Sequence, residues 1–104
     1  MYPINVWSTW DPDKSDRNLA ERGFDFEFAS RMFDGVTLER QDDRRDYGEP
    51  RVVAVGQVTD VSITLVYTDR SLAAGWIERR IISARVSSRK ERKAYGEATH
   101  QDLD

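Results

Sequence analysis

The sequence contains no cysteine, which excludes disulfides and thiolate metal sites and fits a reducing compartment. It has one histidine, His100, in a polar tail. A lone histidine in such a tail argues against a histidine-based triad or a multi-histidine metal site, and no metal or cofactor is expected. No apolar run reaches the length of a membrane span, and the first residues lack a basic-then-apolar signal pattern. A cytoplasmic protein without a membrane partner is the expectation. There is no internal repeat, linker or low-complexity segment. The 104 residues suit one domain, 1–104, with 96–104 a fraying tail. A chain of this length buries roughly two-thirds of its unfolded surface and needs no staples.

What is present is charge, unevenly spread. Residues 1–50 carry twelve acids and seven bases, while residues 51–104 carry seven acids and nine bases, so the halves are −5 and +2 in a chain of net −3. From Arg70 to Lys93, eight Lys and Arg face only Glu78 and Glu91, a local net of +6. A basic segment on an acidic protein suggests a polyanion site. The plainer reading is a solvated surface partly paired with the acidic half.

That basic segment also reads as a strand feeding a helix. Ile77, Ile81 and Ile82 are β-branched, and Ser88 to Glu91 has the spacing of a capping box. Earlier in the chain, residues 3–9 read as a strand. Asp11 and Pro12 start a mostly exposed helix that Gly23 closes, with Leu19 its only large apolar residue. Asp25 starts a second helix whose buried stripe is Phe28, Ala29, Met32 and Phe33. Strands are expected over 36–39, 51–58 and 61–68, the last two forming a hairpin because Val61, Ile63, Leu65 and Tyr67 alternate with polar residues. Residues 41–50 and 69–75 read as loops. The order β-α-α-β-β-β-β-α predicts an α+β domain, a mainly antiparallel curved sheet with helices against one face.

An arginine in mid-strand is costly unless its guanidinium is wet or paired. Alternation puts Arg80 with Ile82 and Ala84 on one face, and Arg79 with Ile81, Ser83 and Arg85 on the other. Arg80 is either a salt-bridge partner for Glu49 or another acid, or a phosphate clamp whose fork matches phosphate oxygens. Glu49 and Arg51 flank Pro50 at the start of a strand and can share a face. Tyr67 is either a core tyrosine with a partnered hydroxyl or a phenol that donates a proton. A carboxylate, arginines and a tyrosine could together cleave a phosphodiester without histidine. None of this spacing is a motif by itself.

Several segments, in order from Trp10 to Tyr95, make a more specific set: WDPDKSDRNLAERG, FDFEFA, YGEPR before a valine-rich strand, VYTDR, RIISAR and SSRKERKAY. This set resembles the BrnT family of bacterial type II toxins. The resemblance implies a RelE-like fold with two N-terminal helices and one C-terminal helix. It implies an endoribonuclease that arrests growth by metal-independent RNA cleavage. It also implies a BrnA-like ribbon-helix-helix antitoxin, a heterotetramer of two toxins and two antitoxins, and contact with operator DNA only through the antitoxin. Trp10, Asp11, Pro12, Lys14 and Asn18 match the first-helix motif. Glu49 and Arg51 match its Glu-x-Arg element, and Tyr67 and Arg70 the Tyr-Thr-x-Arg strand end. Arg80, Ser83, Ala84 and Arg85 match the RIISAR signature, and Glu91 and Tyr95 the final helix. Members commonly read Lys-His-Gly where this chain has Glu21-Arg22-Gly23, and arginine keeps a charge without serving as a base near neutral pH.

With the resemblance, Arg80 and Arg51 are expected on the scissile phosphate, Glu49 or Tyr67 in proton transfer, and Lys14, Arg22, Arg70, Arg85 and Arg89 on the RNA backbone. The antitoxin is expected to overlap this basic surface. Lys90, Arg92 and Lys93 are read as ordinary helix-surface charges. The alternatives are a toxin-fold binding module that pairs with the antitoxin but has lost cleavage, and a nucleic-acid-binding protein without a partner.

Overall fold

A computed structural model describes residues 5–99. Its regular elements are β1 (Val6–Thr9), α1 (Pro12–Arg22), α2 (Phe26–Ser30), β2 (Leu38–Gln41), β3 (Val52–Val58), β4 (Val61–Ser71), β5 (Ile77–Val86) and α3 (Arg89–Thr99), with 3-10 turns at Arg31–Asp34 and Ala73–Gly75. The five strands form one sheet in the order β1-β5-β4-β3-β2. Only β1 and β5 run parallel; the other pairs are antiparallel. This is the α+β, mainly antiparallel class expected. Among the described residues no helix is long and apolar enough to cross a membrane.

The Asp11 side chain accepts from the Asp13 amide, Pro12 opens α1, and Gly23 ends it at φ 89°, a left-handed conformation that glycine adopts without a Cβ penalty. The buried residues of α1 are polar. Ser15 Oγ accepts from the Phe26 amide and Asn18 Nδ2 donates to the Phe24 carbonyl, both at 2.9 Å. Leu19 stays half exposed. So α1 is stitched to the start of α2 by side-chain hydrogen bonds rather than by an apolar stripe.

Asp25 caps α2 by accepting from the Phe28 amide at 2.8 Å. The buried stripe is Phe26, Ala29, Met32 and Phe33; Phe28 only packs against its edge. The 3-10 turn brings Met32 onto Gly56 of β3 so closely that a Cβ there would lie 3.1 Å from Met32 Cβ. Ala54, Ile63, Leu65, Tyr67, Ile81 and Ala84 complete this core from the sheet.

The β3–β4 hairpin pairs Val52 with Tyr67 through Val58 with Val61. β4 runs beyond the expected end at Thr68 because Asp69 and Arg70, which read as loop, pair across the ladder with Arg79 and Glu78. Two other expectations are corrected. Ser83 pairs with Val66 and Ile81 with Tyr67, which leaves Ile82 without a partner on β4. This bulge inverts the phase of β5. Arg79, Ile81 and Ala84 therefore face α2, and Arg80, Ser83 and Arg85 face the other way. The helices also do not share one face. Glu91 of α3 accepts from Thr64 Oγ1 at 2.9 Å, and Thr64 alternates with the core residues Ile63 and Leu65. Hence α3 lies across the opposite face.

No residue of α3 is fully buried. Its attachment is polar: the expected capping box forms (Ser88 N–H to Glu91 Oε1 2.7 Å; Glu91 N–H to Ser88 Oγ 3.1 Å), Thr64 Oγ1 lies 2.8 Å from Ser87 Oγ, and Tyr95 donates to the Val36 carbonyl at 2.9 Å. The helix continues through Gly96 to Thr99, past the point where fraying was expected. His100, the rest of the tail and the first residues of the expected N-terminal strand lie outside the described residues.

Candidate functional site

On the α3 face, Arg80 pairs in register with Thr68 on β4 and Thr9 on β1, and Glu78 pairs with Arg70. Thr68 Oγ1 donates to the Pro50 carbonyl at 2.6 Å, which draws the end of the β2–β3 connection over these strands. The result is an open cavity of about 420 Å³ lined by Glu49, Pro50, Thr68, Asp69, Arg70, Glu78 and Arg80.

Charges in the cavity are distributed unequally. Glu78 accepts from Thr9 Oγ1 at 2.9 Å and from the Arg70 guanidinium at 2.7 Å. The Thr9 hydrogen bond first, then that of Arg70, holds its carboxyl below the usual range. Arg80 is exposed and has no hydrogen bond or ion pair with another described residue. One guanidinium is thus neutralised and one is left over. Glu49 stands at the rim, 3.2 Å from Arg51.

The remaining candidates lie elsewhere. The Arg51 guanidinium sits over the Tyr47 ring at 4.1 Å, and Arg51 lines a separate recess with Glu39, Arg40 and Gln41. Tyr67 is buried on the α2 face, donates to Glu39 Oε1 at 2.8 Å, and lies beneath the Arg79 guanidinium at 4.0 Å. Burial, then the Glu39 hydrogen bond, pushes its pKa up, so the phenol keeps its proton. Arg85 makes a two-pronged ion pair with Glu91 at 2.8 and 2.7 Å. This pair raises the Arg85 pKa and lowers that of Glu91 to about 2. Arg89 is exposed on the first turn of α3. Lys14 and Arg22 line a second recess of about 150 Å³ beside Asn18, Ile82 and Ser83. β1 ends opposite Arg80, so β5 has no neighbour strand on its β1 side beyond that point, and Arg22 donates to the Ala84 carbonyl there at 2.8 Å.

The structure therefore gathers Glu49, Arg70 and Arg80 in one cavity and Lys14 and Arg22 in another. It brings Arg51, Tyr67, Arg85 and Arg89 into neither. Two contributors were not singled out from the sequence. Thr68 lies within the expected strand 61–68, on the polar face of its alternation. Asp42, whose Asx-x-Arg spacing is a turn signal, is buried and takes two hydrogen bonds from the Arg44 side chain at 2.8 and 2.9 Å. These hydrogen bonds hold its pKa at about 2 and anchor the start of the connection that Glu49 ends.

No curated protein matches the sequence. The family description "Ribonuclease toxin, BrnT, of type II toxin-antitoxin system" matches residues 10–91. The matched span runs from Trp10, ahead of α1, to Glu91 of the capping box, and contains every residue that lines either cavity, so the chain belongs to the BrnT family of ribonuclease toxins.

Proposed function

We propose that this protein is an active, metal-independent endoribonuclease with a RelE-like fold, working in the cytoplasm around Arg80, and that a BrnA-like ribbon-helix-helix antitoxin silences it by covering the same surface. The observation that carries the reading is Arg80: an exposed guanidinium without an ion-pair partner among the described residues, on β5 between β1 and β4, in a cavity with a carboxylate at its rim. A guanidinium fork suits a phosphate. Arg80 and, beside it, Arg70 hold the non-bridging oxygens of the scissile phosphate and stabilise the charge that builds there. The Glu49 carboxylate takes the proton from the neighbouring ribose 2′-hydroxyl. The 2′-oxygen attacks phosphorus, and the 5′-oxygen leaves and takes up a proton from water. The products are a 2′,3′-cyclic phosphate and a 5′-hydroxyl. Tyr67 has no part in this, since it lies on the other face with its hydroxyl bound to Glu39.

The test is incubation of the purified full chain with single-stranded RNA, with the product ends identified. Cleavage leaving cyclic phosphate ends, lost in a folded Arg80→Ala variant, is expected. Intact RNA together with no growth arrest on induction would remove the enzyme reading.

A second reading, a toxin fold that pairs with the antitoxin but no longer cleaves, is favoured by one observation. Arg22 stands where members commonly carry histidine, and it is engaged with the Ala84 carbonyl. Under that reading the adjacent gene's product forms a tight complex with a non-toxic protein, and Arg22→His restores cleavage.

A further inference from the structure

Trp7 and Trp76 are large apolar side chains left in solvent, 50% and 39% exposed, with ring centroids 5.7 Å apart and planes tilted by 43°. Their place in the sheet gives them a context. Trp7 is in register with Glu78, and Thr9 with Arg80. Residues directly opposite in a ladder share a face. Trp7 therefore projects on the face that carries Glu78 and Arg80, about 7 Å along β1 from Thr9. Trp76 precedes Ile77 and falls on the same alternation as Glu78 and Arg80. The aromatic pair thus shares the cavity's face of the sheet, beyond the Arg70–Glu78 pair from Arg80, though neither tryptophan lines the cavity itself.

The pair is held by backbone, not by packing. The Trp76 carbonyl accepts from the Leu72 amide at 2.7 Å, its amide donates to the Ala73 carbonyl, and the Ile77 amide donates to the Asn5 carbonyl at 2.9 Å. The Asn5 side chain also donates to the Gly75 carbonyl. The turn that delivers Trp76 contains Ala74 at φ 62°, a left-handed conformation unfavourable for a residue with a Cβ. A strained turn that ends by presenting a tryptophan to water has no stabilising return in the core.

We propose that Trp7 and Trp76 are a stacking platform for an unpaired nucleobase adjoining the phosphate held at Arg80, so that the site takes single-stranded rather than duplex RNA. The inference rests on the ribonuclease reading of the cavity. Indole faces stack on any base, whereas bases inside an A-form duplex are already stacked and closed to side chains. The chemistry fits this occupant better than a protein: a guanidinium with no ion-pair partner among the described residues and a half-exposed aromatic pair lie on one face, about two strand residues apart, which matches the alternation of phosphate and base along one strand.

The experiment uses the full chain and a short single-stranded oligonucleotide with 2′-O-methyl riboses, which blocks cleavage by removing the nucleophile. Binding is measured by fluorescence anisotropy, beside an oligonucleotide of the same length with abasic positions and a duplex of the same sequence. Wild type is expected to prefer the single strand over both. Trp7→Leu and Trp76→Leu keep apolar bulk and remove the aromatic face, and each is expected to weaken single-strand binding roughly tenfold. Neither is expected to alter abasic binding, and Trp7→Phe is expected to restore most of the loss. Leucine variants that bind the single strand like wild type, while Arg80→Ala does not, would overturn the platform and leave the ribonuclease site standing. Failure of wild type to bind any of the three would overturn both. Leucine variants that bind RNA normally but lose the complex with the adjacent gene's product would show the pair to be a protein interface, and that too would overturn the proposal.

Discussion

On the α2 face of the sheet, Arg79 is enclosed: its guanidinium lies over the Tyr67 and Phe33 rings at 4.0 and 4.8 Å, makes a two-pronged ion pair with Asp69, and leaves 11% of the side chain exposed. On the α3 face, the next residue in the chain, Arg80, is open to solvent beside the Arg70–Glu78 ion pair. There its charge adds, after the Thr9 and Arg70 hydrogen bonds, to the lowering of the Glu78 pKa, but it makes no hydrogen bond or ion pair with another described residue. The two residues are identical and adjacent. Strand alternation sends one into a packed environment where its fork holds Asp69 and lies on two rings, and the other to a cavity where it has no hydrogen bond or ion pair with another described residue. An arginine's role in this sheet is set by its phase in the strand, not by its position within a basic run.

The sharpest way to break the comparison is to truncate each arginine. Arg80→Ala should slow RNA cleavage about 100-fold, a transition-state loss of about 2.7 kcal/mol, while urea unfolding stays within about 0.5 kcal/mol of wild type. Arg79→Ala should do the reverse. Leaving Asp69 without its partner and removing the cation from two ring faces should cost about 2 kcal/mol of stability in the same urea titration, with cleavage by the folded fraction unchanged. If Arg79 proved catalytic and Arg80 structural, the assignment of faces would be wrong.

Glu91 extends the comparison to α3. Glu91→Ala removes a carboxylate that accepts from Thr64, Arg85 and the Ser88 amide, and should cost about 1.5 kcal/mol in urea unfolding. The same group gives a pH signature. Its folded pKa of about 2 lies below the ordinary 4.5, so its stabilising contribution is full above pH 4.5 and is lost as pH falls from there towards 2. Asp42, lowered from 3.8 to about 2, adds to that acid loss in the same direction. Stability measured against pH in Glu91→Gln should therefore fall less steeply than wild type over this window without becoming flat. The smallest effect belongs to Tyr67→Phe. Loss of the hydroxyl that donates to Glu39 should cost about 1 kcal/mol of stability by thermal unfolding and leave cleavage within about twofold. A larger cleavage defect would return Tyr67 to the site.

What could be read from the sequence was local. Asp11, Pro12, Asp25 and the Ser88–Glu91 box act through neighbours within a few residues, and each does what its spacing implied. The β3–β4 hairpin was legible because Val61 to Tyr67 alternates without interruption. What was not legible depends on partners far along the chain. Asp69 and Arg70 look like loop residues until Arg79 and Glu78 stand opposite them. Ile82 looks like an ordinary strand residue until the ladder skips it, and with it went the facing of Ala84, Ser83 and Arg85. The surface on which α3 docks was hidden because its contacts are polar and its own sequence has no buried stripe. Of the site, Glu49, Arg70 and Arg80 were within reach. The separation of Tyr67 from Arg80 was also implicit in the strand register, because Tyr67 alternates with Thr68, the residue that Arg80 faces.

The bulge at Ile82 has one more consequence. Removing that residue would leave a regular ladder in which Ile81 and Ala84 still point inward and Ser83 and Arg85 still point outward. The extra residue is therefore not needed to sort the side chains. Its effect is directional: a bulge bends its strand and sharpens the local twist, here between the segment that carries Arg80 and the segment that ties down α3. Deleting Ile82 would straighten β5 and change the angle between the segment that carries Arg80 and the segment that ties down α3, while the facing of every side chain on the strand stayed as it is.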